Sequence, residues 1–262
     1  MSAIEVRDAL GQSVAMKTPP QRIVSLVPSQ TELLHHLGLE DRVVGLTRYC
    51  VRPPHWSRTK TIVGGTKKVR SPLVAALRPD LILANKEENT EADVEALRAI
   101  APVYVTDVSD LAGAVAMVRA LGELTDRRRT AERCADEIER RFSALEPGPE
   151  LRAAYLIWKD PIMTVGADTF IHDIMKRAGL ANVFAHMSRY PTLTPEALAS
   201  ANPEVVLLSS EPYPFGASHL QYFTSILPSA RIILADGELF SWYGSRMISA
   251  PEELLALRTS LL

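Results

Sequence analysis

A pattern that occurs twice, in the same order, limits how this chain can fold. The segments SPLVAALRPDLILA, from Ser71, and TPEALASANPEVVLLS, from Thr194, each combine a capping residue, a proline, a short helix, a second proline, an acid and an apolar strand. Ser71 and Thr194 are the predicted helix N-caps. The prolines that follow them, Pro72 and Pro195, occupy the first helical turn, where a missing N–H costs little. The repeat predicts two similar α/β lobes.

A second pair of segments supports the duplication. The apolar run IVSLV leads into the helix TELLHHLGL, which we predict to open with a capping box formed by Ser29 and Glu32. The apolar run AAYLIW leads, after a connection, into the helix TFIHDIMKRAGL. We expect these helices to end at Gly38 and Gly179, because glycine adopts the left-handed conformation of a helix C-terminus without strain.

Two helical patterns separate the halves of the chain. Apolar residues recur at three-and-four spacing on both sides of the polar break TDRRR. The second pattern predicts a helix of about 20 residues, or about 30 Å. The predicted domains are an N-terminal α/β lobe at 1–125, a bridging helix at 126–147 and a C-terminal α/β lobe at 148–262.

Charge and hydropathy exclude several classes of partner. The net charge is −2 and charges of both signs are mixed along the chain, so no nucleic-acid partner is expected. No apolar run reaches about 18 residues, so no membrane-spanning segment is expected. Glu5, Arg7 and Asp8 interrupt the apolar start of the chain, unlike a signal peptide. The sequence as written is therefore expected to be cytoplasmic, or periplasmic or extracellular if a leader has been removed.

Cysteines and histidines show no spacing typical of a metal site, so no resident metal is predicted. Cys50 and Cys134 lie far apart and match no zinc or CxxC pattern. His35 and His36 are adjacent on a predicted helix and point about 100° apart, so they cannot readily share a metal ion. A metal-ion receptor remains an alternative through residues that could converge in the fold: His55, His186, His219 and Glu87.

Five segments carry a family resemblance: RIVSLVPSQTELLHHLGL, VVGLTRYCVRPP, VGGT, LRPDLILA and NPEVVLLS. Together they resemble the helical-backbone (class III, cobalamin/siderophore-type) substrate-binding proteins of ABC transporters, over essentially the whole chain. The resemblance implies an α/β fold with two Rossmann-like lobes, joined by one long helix, and a ligand cleft between the lobes. It implies a non-catalytic, monomeric receptor for a large metal chelate, corrinoid or cobalamin-like first and siderophore or haem second.

The candidate ligand-binding residues follow predicted strands, because ligands of open α/β sheets bind beyond the carboxyl ends of the strands. Tyr49 follows VVGLT, where cobalamin-binding relatives present an aromatic residue. Cys50 beside it is either a ligand for cobalt or haem iron or a small buried thiol. Trp158 ends the strand AAYLIW, and Tyr190 matches an aromatic contact of the relatives.

Two further segments contribute candidates. The stretch DGELFSWYGSRM brings together Trp242, Tyr243 and Arg246, which could stack on and pair with a flat conjugated ligand or could cover the core of the second lobe. In the loop ANKEEN, Glu87 and Glu88 favour a ligand with cationic or amide donors over a polycarboxylate. No cofactor of the protein's own is expected, although the ligand itself can carry cobalt or iron.

The resemblance also implies an ABC importer permease as partner. Glu196 matches the glutamate with which the second lobe of such proteins engages the transporter, whereas the first-lobe position falls on Pro72. The protein has therefore either left the importer pathway or contacts its transporter differently. The sequence departs from the cobalamin binders at Asn85 and Thr66, where they tend to carry tryptophan. A chelatase-like enzyme on the same fold is an alternative, but no histidine falls at a strand end as its base, so no enzyme is predicted.

Overall fold

The computed structural model describes residues 4–146 and 148–262, and this part of the chain divides into two compact units. Unit 1 contains the residues up to Val108, Ala112–Glu139 and Tyr243–Arg246. Unit 2 contains Ser109–Leu111, Arg140–Trp242 and Met247–Leu262. The chain therefore returns to unit 1 for four residues near its end, a feature that the predicted domain boundaries do not include.

Unit 1 is built on a fully parallel five-stranded sheet with the strand order β5-β4-β3-β8-β9. Two hairpins, β1-β2 and β6-β7, accompany it. The strands are β1 (Ile4–Arg7), β2 (Ser13–Met16), β3 (Ile23–Ser25), β4 (Val43–Leu46), β5 (Thr61–Ile62), β6 (Gly64–Gly65), β7 (Lys68–Val69), β8 (Leu81–Asn85) and β9 (Val103–Thr106). The helices are α1 (Pro28–His36), a 3-10 turn (Glu40–Arg42), α2 (Trp56–Thr59), α3 (Ser71–Ala76) and α4 (Glu91–Arg98).

Two longer helices follow, α5 (Leu111–Leu124) and α6 (Arg128–Ser143), and each has residues in both units. The apolar stripe of α6 is buried, as its three-and-four spacing predicts. At 16 residues, α6 is shorter than the predicted bridging helix. The predicted end of that helix at Pro147 lies outside the described residues. No helix within 4–146 or 148–262 combines the length and hydropathy needed to cross a bilayer.

Unit 2 has a mixed six-stranded sheet with the order β13-β11-β10-β14-β15, in which β12 also pairs with β10. The strands are β10 (Leu151–Trp158), β11 (Ile162–Thr164), β12 (Leu180–Asn182), β13 (Thr192–Leu193), β14 (Val205–Ser209) and β15 (Arg231–Ala235). The helices are α7 (Phe170–Arg177), α8 (Pro195–Ser200), α9 (Ala217–Ile226), α10 (Gly237–Ser241), a 3-10 turn (Ser245–Ile248) and α11 (Ala250–Leu261).

The two sheets share one plan, which confirms the α/β duplication. Each contains four adjacent parallel strands, β4-β3-β8-β9 in unit 1 and β12-β10-β14-β15 in unit 2. The strands β8 and β14 are buried along their whole length, as expected for parallel sheets covered by helices on both faces. The corresponding helices are α1 and α7, then α3 and α8.

The duplication extends to an arginine and an acid at the start of each sheet. In unit 1 the backbone N–H of Arg22 donates to the Asp80 carboxylate at 2.8 Å, while its side chain donates to the main-chain oxygen that ends α3. In unit 2 the backbone N–H of Arg152 donates to the Glu204 carboxylate at 2.8 Å, and its guanidinium reaches the end of α8. The acid that follows each helix-ending proline thus fixes the neighbouring strand.

The helix ends confirm part of the predicted capping. Gly38 has φ +69° and its N–H donates to the His35 carbonyl, while Gly179 has φ +71°. Thr194 caps α8, accepting the Ala197 N–H at 3.1 Å. The predicted capping box was wrong, because Pro28 begins α1 and places Ser29 inside the first turn.

The predicted cap at Ser71 was also wrong. Ser71 is the first residue of α3, and the preceding Arg70 occupies the N-cap position. Because α3 and α8 both contain six residues, the structural register matches Ser71 with Pro195 and Pro72 with Glu196. The sequence comparison of the two capping motifs is therefore displaced by one residue, since the second motif is one residue longer before its acid.

Candidate functional site

The carboxyl end of β10 in unit 2 presents an exposed aromatic ring. Trp158, the last residue of the strand, is 38% exposed and donates from its indole N–H to the Asp160 carbonyl at 3.1 Å. Its ring meets the Tyr213 ring edge-on with centroids 5.4 Å apart. Trp158 is therefore held in place at one edge while the remaining ring surface faces solvent.

Tyr213 lies in the loop after β14 and organises the neighbouring rings. Its centroid is 4.8 Å from that of Phe215 and 5.3 Å from that of His219. The His219 Nδ1 atom accepts the Gly216 N–H at 2.9 Å, so the neutral ring carries its proton on Nε2. That N–H then donates to the Tyr213 hydroxyl at 3.1 Å, which fixes the orientation of both rings.

A lysine completes this surface. The Lys159 ammonium lies 4.8 Å above the ring of Tyr222, which is 38% exposed, and pairs with Asp160 at 2.8 Å. The hydrogen bond to Asp160 raises the pKa of Lys159. We call Trp158, Lys159, Tyr213 and Tyr222 the aromatic-lysine surface. It offers ring faces and one cation side by side.

Sequence reasoning missed three members of this surface, Lys159, Tyr213 and Tyr222. The signal for Tyr213 was present, because the loop EPYPFG places aromatic residues between prolines directly after a buried strand. Lys159 also follows a strand directly, in the loop LIWKDP. Tyr222 lies on α9, one turn below the loop, and no local pattern separates it from a core residue.

In unit 1, Tyr49 follows β4 as predicted and is 55% exposed. Gly65, in the β6-β7 hairpin, lies beside the ring. A Cβ atom at that position would stand 3.3 Å from Tyr49 Cε2, tighter than an ordinary contact. The absence of a side chain at Gly65 thus leaves room for the Tyr49 ring beside the hairpin.

Cys50 is placed differently from its predicted role as a ligand. The side chain is completely buried, and its sulfur lies 3.2 Å from the Thr47 hydroxyl. Burial raises the pKa of Cys50 to about 11, because the thiolate would lose its hydration. A neutral, enclosed thiol does not present a ligand to cobalt or iron, so the alternative of a small buried thiol describes Cys50 correctly.

The loop after β8 is held by Asn85. The Asn85 side-chain oxygen accepts the N–H groups of Glu87 and Glu88 at 2.8 and 3.2 Å, and its amide donates to the Tyr243 hydroxyl at 2.8 Å. Glu87 and Glu88 are half-buried. Asn85 is 2% exposed, so its side chain serves the local structure of unit 1.

The predicted ligand contacts near the end of the chain are mostly enclosed. Tyr243 is buried, which raises its pKa. Arg246 forms a two-point ion pair with Glu32, at 2.9 and 3.1 Å. Gly244, with φ +113°, lets this segment approach Leu33 of α1. The arginine predicted to pair with a ligand is thus occupied by a carboxylate of unit 1.

Trp242 is buried in unit 2, so the expectation of an accessible ring does not describe it. Its indole N–H donates to Glu211 Oε1 at 2.7 Å, and the Ser241 hydroxyl donates to the same oxygen at 2.8 Å. Burial raises the pKa of Glu211, and these two hydrogen bonds partly oppose the shift. Ser241 and Trp242 therefore stabilise the loop after β14, and the Trp242 ring is not accessible to a ligand.

The remaining predicted residues lie at the surface of unit 2. Tyr190 is half-buried, with the Arg189 guanidinium 5.8 Å from its ring centroid. Glu196 is exposed in the first turn of α8. A hydrogen bond from its own backbone N–H, followed by one from the Thr194 hydroxyl, lowers the pKa of Glu196. Glu196 is therefore an exposed, charged carboxylate, as a docking residue requires.

The alternative of a metal-ion receptor concerned histidines that could converge with Glu87, but the structure groups His55 with other residues. Instead of converging with Glu87, His55 joins His35 and Glu40 in unit 1, where one ligand atom of each residue lies within 4.8 Å of the others. These three residues come from separate segments, and their grouping could not be read from spacing along the chain.

Comparisons with known proteins identify the fold and the family. A lipoprotein of Bacillus subtilis, described as the uncharacterized ABC transporter substrate-binding lipoprotein YvrC, is 26% identical over 96% of this chain and 84% of its own length. The vitamin B12-binding protein of Pectobacterium carotovorum is 24% identical over 92% of this chain and 90% of its own. The solved periplasmic heme-binding protein RhuT of Roseiflexus, in apo form, has a TM-score of 0.81 at 21% identity, covering 92% and 97% of the two chains.

These relatives bear on two of the expectations. One relative is described as a lipoprotein and another as periplasmic, so the expectation of a cytoplasmic protein has no support from them. The relatives are solute-binding proteins rather than enzymes, in agreement with the prediction that the chain is not an enzyme. The family model of the periplasmic binding proteins matches residues 23–222, and the chain belongs to this family.

Proposed function

We propose that this chain is a non-catalytic receptor that binds a large metal chelate outside the cytoplasm and delivers it to an ABC importer permease. A cobalamin-like corrinoid is the first candidate solute, and haem or a ferric siderophore is the second. The family assignment supports a binding role, and the likeness to the vitamin B12-binding protein of Pectobacterium carotovorum over nearly its whole length supports the corrinoid.

The observation that carries the proposal is the aromatic-lysine surface. It lies at the carboxyl ends of β10 and β14, the edge of a parallel sheet at which α/β proteins bind their ligands. One aromatic side chain buries about 150–250 Å², or about 4–6 kcal/mol at roughly 25 cal/mol per Å². A micromolar dissociation constant needs about 8 kcal/mol net. The partly exposed rings of Trp158 and Tyr222 therefore offer part of this area to a macrocycle.

The charges in the strand-end loops favour a corrinoid over haem. Glu87 and Glu88 are adjacent carboxylates beyond β8, and they suit amide donors better than a second set of carboxylates. Corrinoids carry a rim of amides, whereas haem carries two propionates. In unit 2, Lys159 provides a cation beyond β10 that can donate hydrogen bonds to a single anionic group such as a phosphate.

Isothermal titration of the untagged protein with cobalamin, haem and a ferric hydroxamate tests this proposal directly. We expect saturable one-to-one binding of cobalamin, with a weaker signal for the other two. The thermal midpoint should rise with cobalamin, since a ligand that binds only the folded state stabilises it. If no member of the panel binds at about 100 µM, equivalent to roughly 5.5 kcal/mol, the chelate assignment is wrong.

The role in import rests on Glu196, the exposed acid of unit 2. Its structural counterpart in unit 1 is Pro72, so only one of the two acids expected for transporter docking is in place. Reconstituted transport with the permease would test the partner. Glu196→Gln should reduce solute delivery while leaving solute affinity unchanged, and equal delivery by both proteins would exclude this docking contact.

A further inference from the structure

Three side chains from separate segments of unit 1 converge on one point. They are His35 in the last turn of α1, Glu40 in the following 3-10 turn and His55 just before α2, and one ligand atom from each lies within 4.8 Å of the others. The closest pair is His55 Nε2 and Glu40 Oε1, at 2.9 Å. We call this group the His-Glu-His cluster.

The backbone on either side of the cluster is firmly held. The Gly38 N–H donates to the His35 carbonyl at 2.9 Å, which fixes the turn from α1 towards Glu40. Trp56, next to His55, is completely buried and meets the His35 ring edge-on at 5.6 Å. The side chains of His55 and Glu40 are 51% and 47% exposed. The cluster therefore combines anchored backbone with accessible ligand atoms.

A nearby cation does not block the carboxylate. The Lys60 ammonium donates to the main-chain oxygen of Glu40 at 2.6 Å and lies 5.6 Å from the centroid of the Trp56 ring. The Glu40 side-chain oxygen remains directed at His55. An exposed histidine-carboxylate contact by itself stabilises a protein by at most about 1 kcal/mol.

The geometry points to a surface site for a divalent transition-metal ion of the zinc class, with His35, Glu40 and His55 as protein ligands; we propose this site as a new feature of the protein. Two imidazole nitrogens and one carboxylate oxygen are preferred zinc ligands, and a water molecule would complete the tetrahedron. Bonds of about 2.0–2.2 Å place tetrahedral ligand atoms about 3.4 Å apart. Small side-chain rotations bring these exposed groups to that spacing.

The site is separate from the solute-binding surface. Glu40 precedes β4 and His55 precedes β5, and α1 runs back from the carboxyl end of β3, so all three ligands lie at the amino ends of the strands. Solute contacts are proposed at the carboxyl ends. Metal binding and chelate binding are thus independent properties, and either experiment can fail without affecting the other.

Calorimetric titration of the untagged, metal-free protein with Zn²⁺ tests the site. We expect one equivalent to bind, and the single variants His35→Gln, Glu40→Gln and His55→Gln each to lower the affinity at least about tenfold, because even outer-shell partners of a metal contribute that much. His36→Gln is the matched control: this exposed histidine adjoins the cluster without belonging to it, and the variant should bind Zn²⁺ normally.

Two further readouts separate a formed site from adventitious binding. Zn²⁺ should raise the thermal midpoint of the wild type and of His36→Gln but not of His55→Gln. Co²⁺ should give the intense visible absorption of a tetrahedral complex in the wild type and in His36→Gln, but not in the variants of the three ligands. If Zn²⁺ fails to bind, or if its affinity is the same in the wild type and in His35→Gln, the proposal is overturned.

Discussion

A single carboxylate, Glu211, joins the loop after β14 to the segment that follows α10. Its Oε1 atom accepts hydrogen bonds from Ser241 and Trp242. Burial nevertheless raises the pKa of Glu211 above its ordinary value of 4.5. The folded protein therefore binds a proton more tightly than the unfolded chain does. The stability contributed by Glu211 is complete below the unfolded pKa and is lost as the pH rises through the folded pKa.

Replacing Glu211 with glutamine should make the free energy of unfolding depend less on pH. Glutamine keeps an oxygen that can accept both hydrogen bonds, and it removes the charge that burial penalises. We expect Glu211→Gln to be at least as stable as the wild type at pH 7 and to lose less stability between pH 4.5 and 7. Denaturant unfolding at several pH values measures both effects.

The exposed variant Glu253→Gln controls for the loss of one charge. If the stability of Glu211→Gln instead declines more steeply with rising pH than that of the wild type, the folded protein stabilises the charged form of Glu211, and the expected effect of burial is wrong.

At the scale of elements, α5 and α6 pack closely through a glycine. A Cβ atom on Gly122 would lie 2.2 Å from the Cβ atom of Ala131. Alanine favours a helix by about 1 kcal/mol over glycine, but two Cβ atoms cannot rotate away from each other. The absence of a side chain at Gly122 therefore permits the contact between α5 and α6, although glycine weakens α5 itself.

Gly122→Ala should consequently lower the free energy of unfolding by about 1–2 kcal/mol, within the range for overpacked sites. Ala131→Gly removes the opposing atom and should rescue most of this loss in the double variant. Chemical denaturation of the two single variants and the double variant measures the coupling. If the losses of stability in the two single variants simply add in the double variant, the two helices are not in contact at this point.

The segment Tyr243–Arg246 belongs to unit 1, although it lies near the end of the chain. Arg246 and Glu32 are 16% and 22% exposed and form two charge-assisted hydrogen bonds. Arg246→Ala should cost about 1.5–3 kcal/mol, the range for hydrogen bonds to charged groups. Arg246→Lys should recover only part of it, because an ammonium cannot form the two-point contact. Thermal and denaturant unfolding measure both variants.

Arg141→Ala is the control for loss of an exposed ion pair, because its partner Glu252 is 78% exposed. Such pairs contribute at most about 1 kcal/mol, so this variant should lose less stability than Arg246→Ala. If Arg246→Ala retains full stability but loses cobalamin binding, Arg246 contacts the solute, as the sequence suggested.

At the scale of the whole molecule, the proposed binding of a chelate depends on the exposed rings. Trp158→Ala removes the largest accessible ring of the aromatic-lysine surface and should weaken cobalamin binding about 10- to 100-fold, the effect of losing a tryptophan anchor of 1–3 kcal/mol or so. Calorimetry measures the change. Leu255→Ala, which removes an exposed apolar side chain on α11, should leave the affinity unaltered. Equal affinities for Trp158→Ala and the wild type would exclude this surface as the binding site.

Most of the fold could be predicted from short stretches of sequence. Proline and glycine at helix ends, caps such as Thr194 and apolar runs such as VVLL report local backbone preferences, and these were sufficient to predict a duplicated α/β plan. The same information located the strand-end loops. It misplaced the start of α1 by two residues and that of α3 by one, because serine can stand inside the first turn of a helix as well as at its cap.

The sequence by itself determined the order of elements and the position of the loops that carry Tyr49 and Trp158. Only the tertiary structure decided which polar groups are accessible: it pairs Arg246 with Glu32, 214 residues away, encloses Cys50, and brings His55 to His35 and Glu40. The physical reason is the separation along the chain between the residues that interact. Helix caps and strand periods depend on neighbours within a few residues, whereas burial and pairing depend on packing between distant segments, which local patterns do not encode.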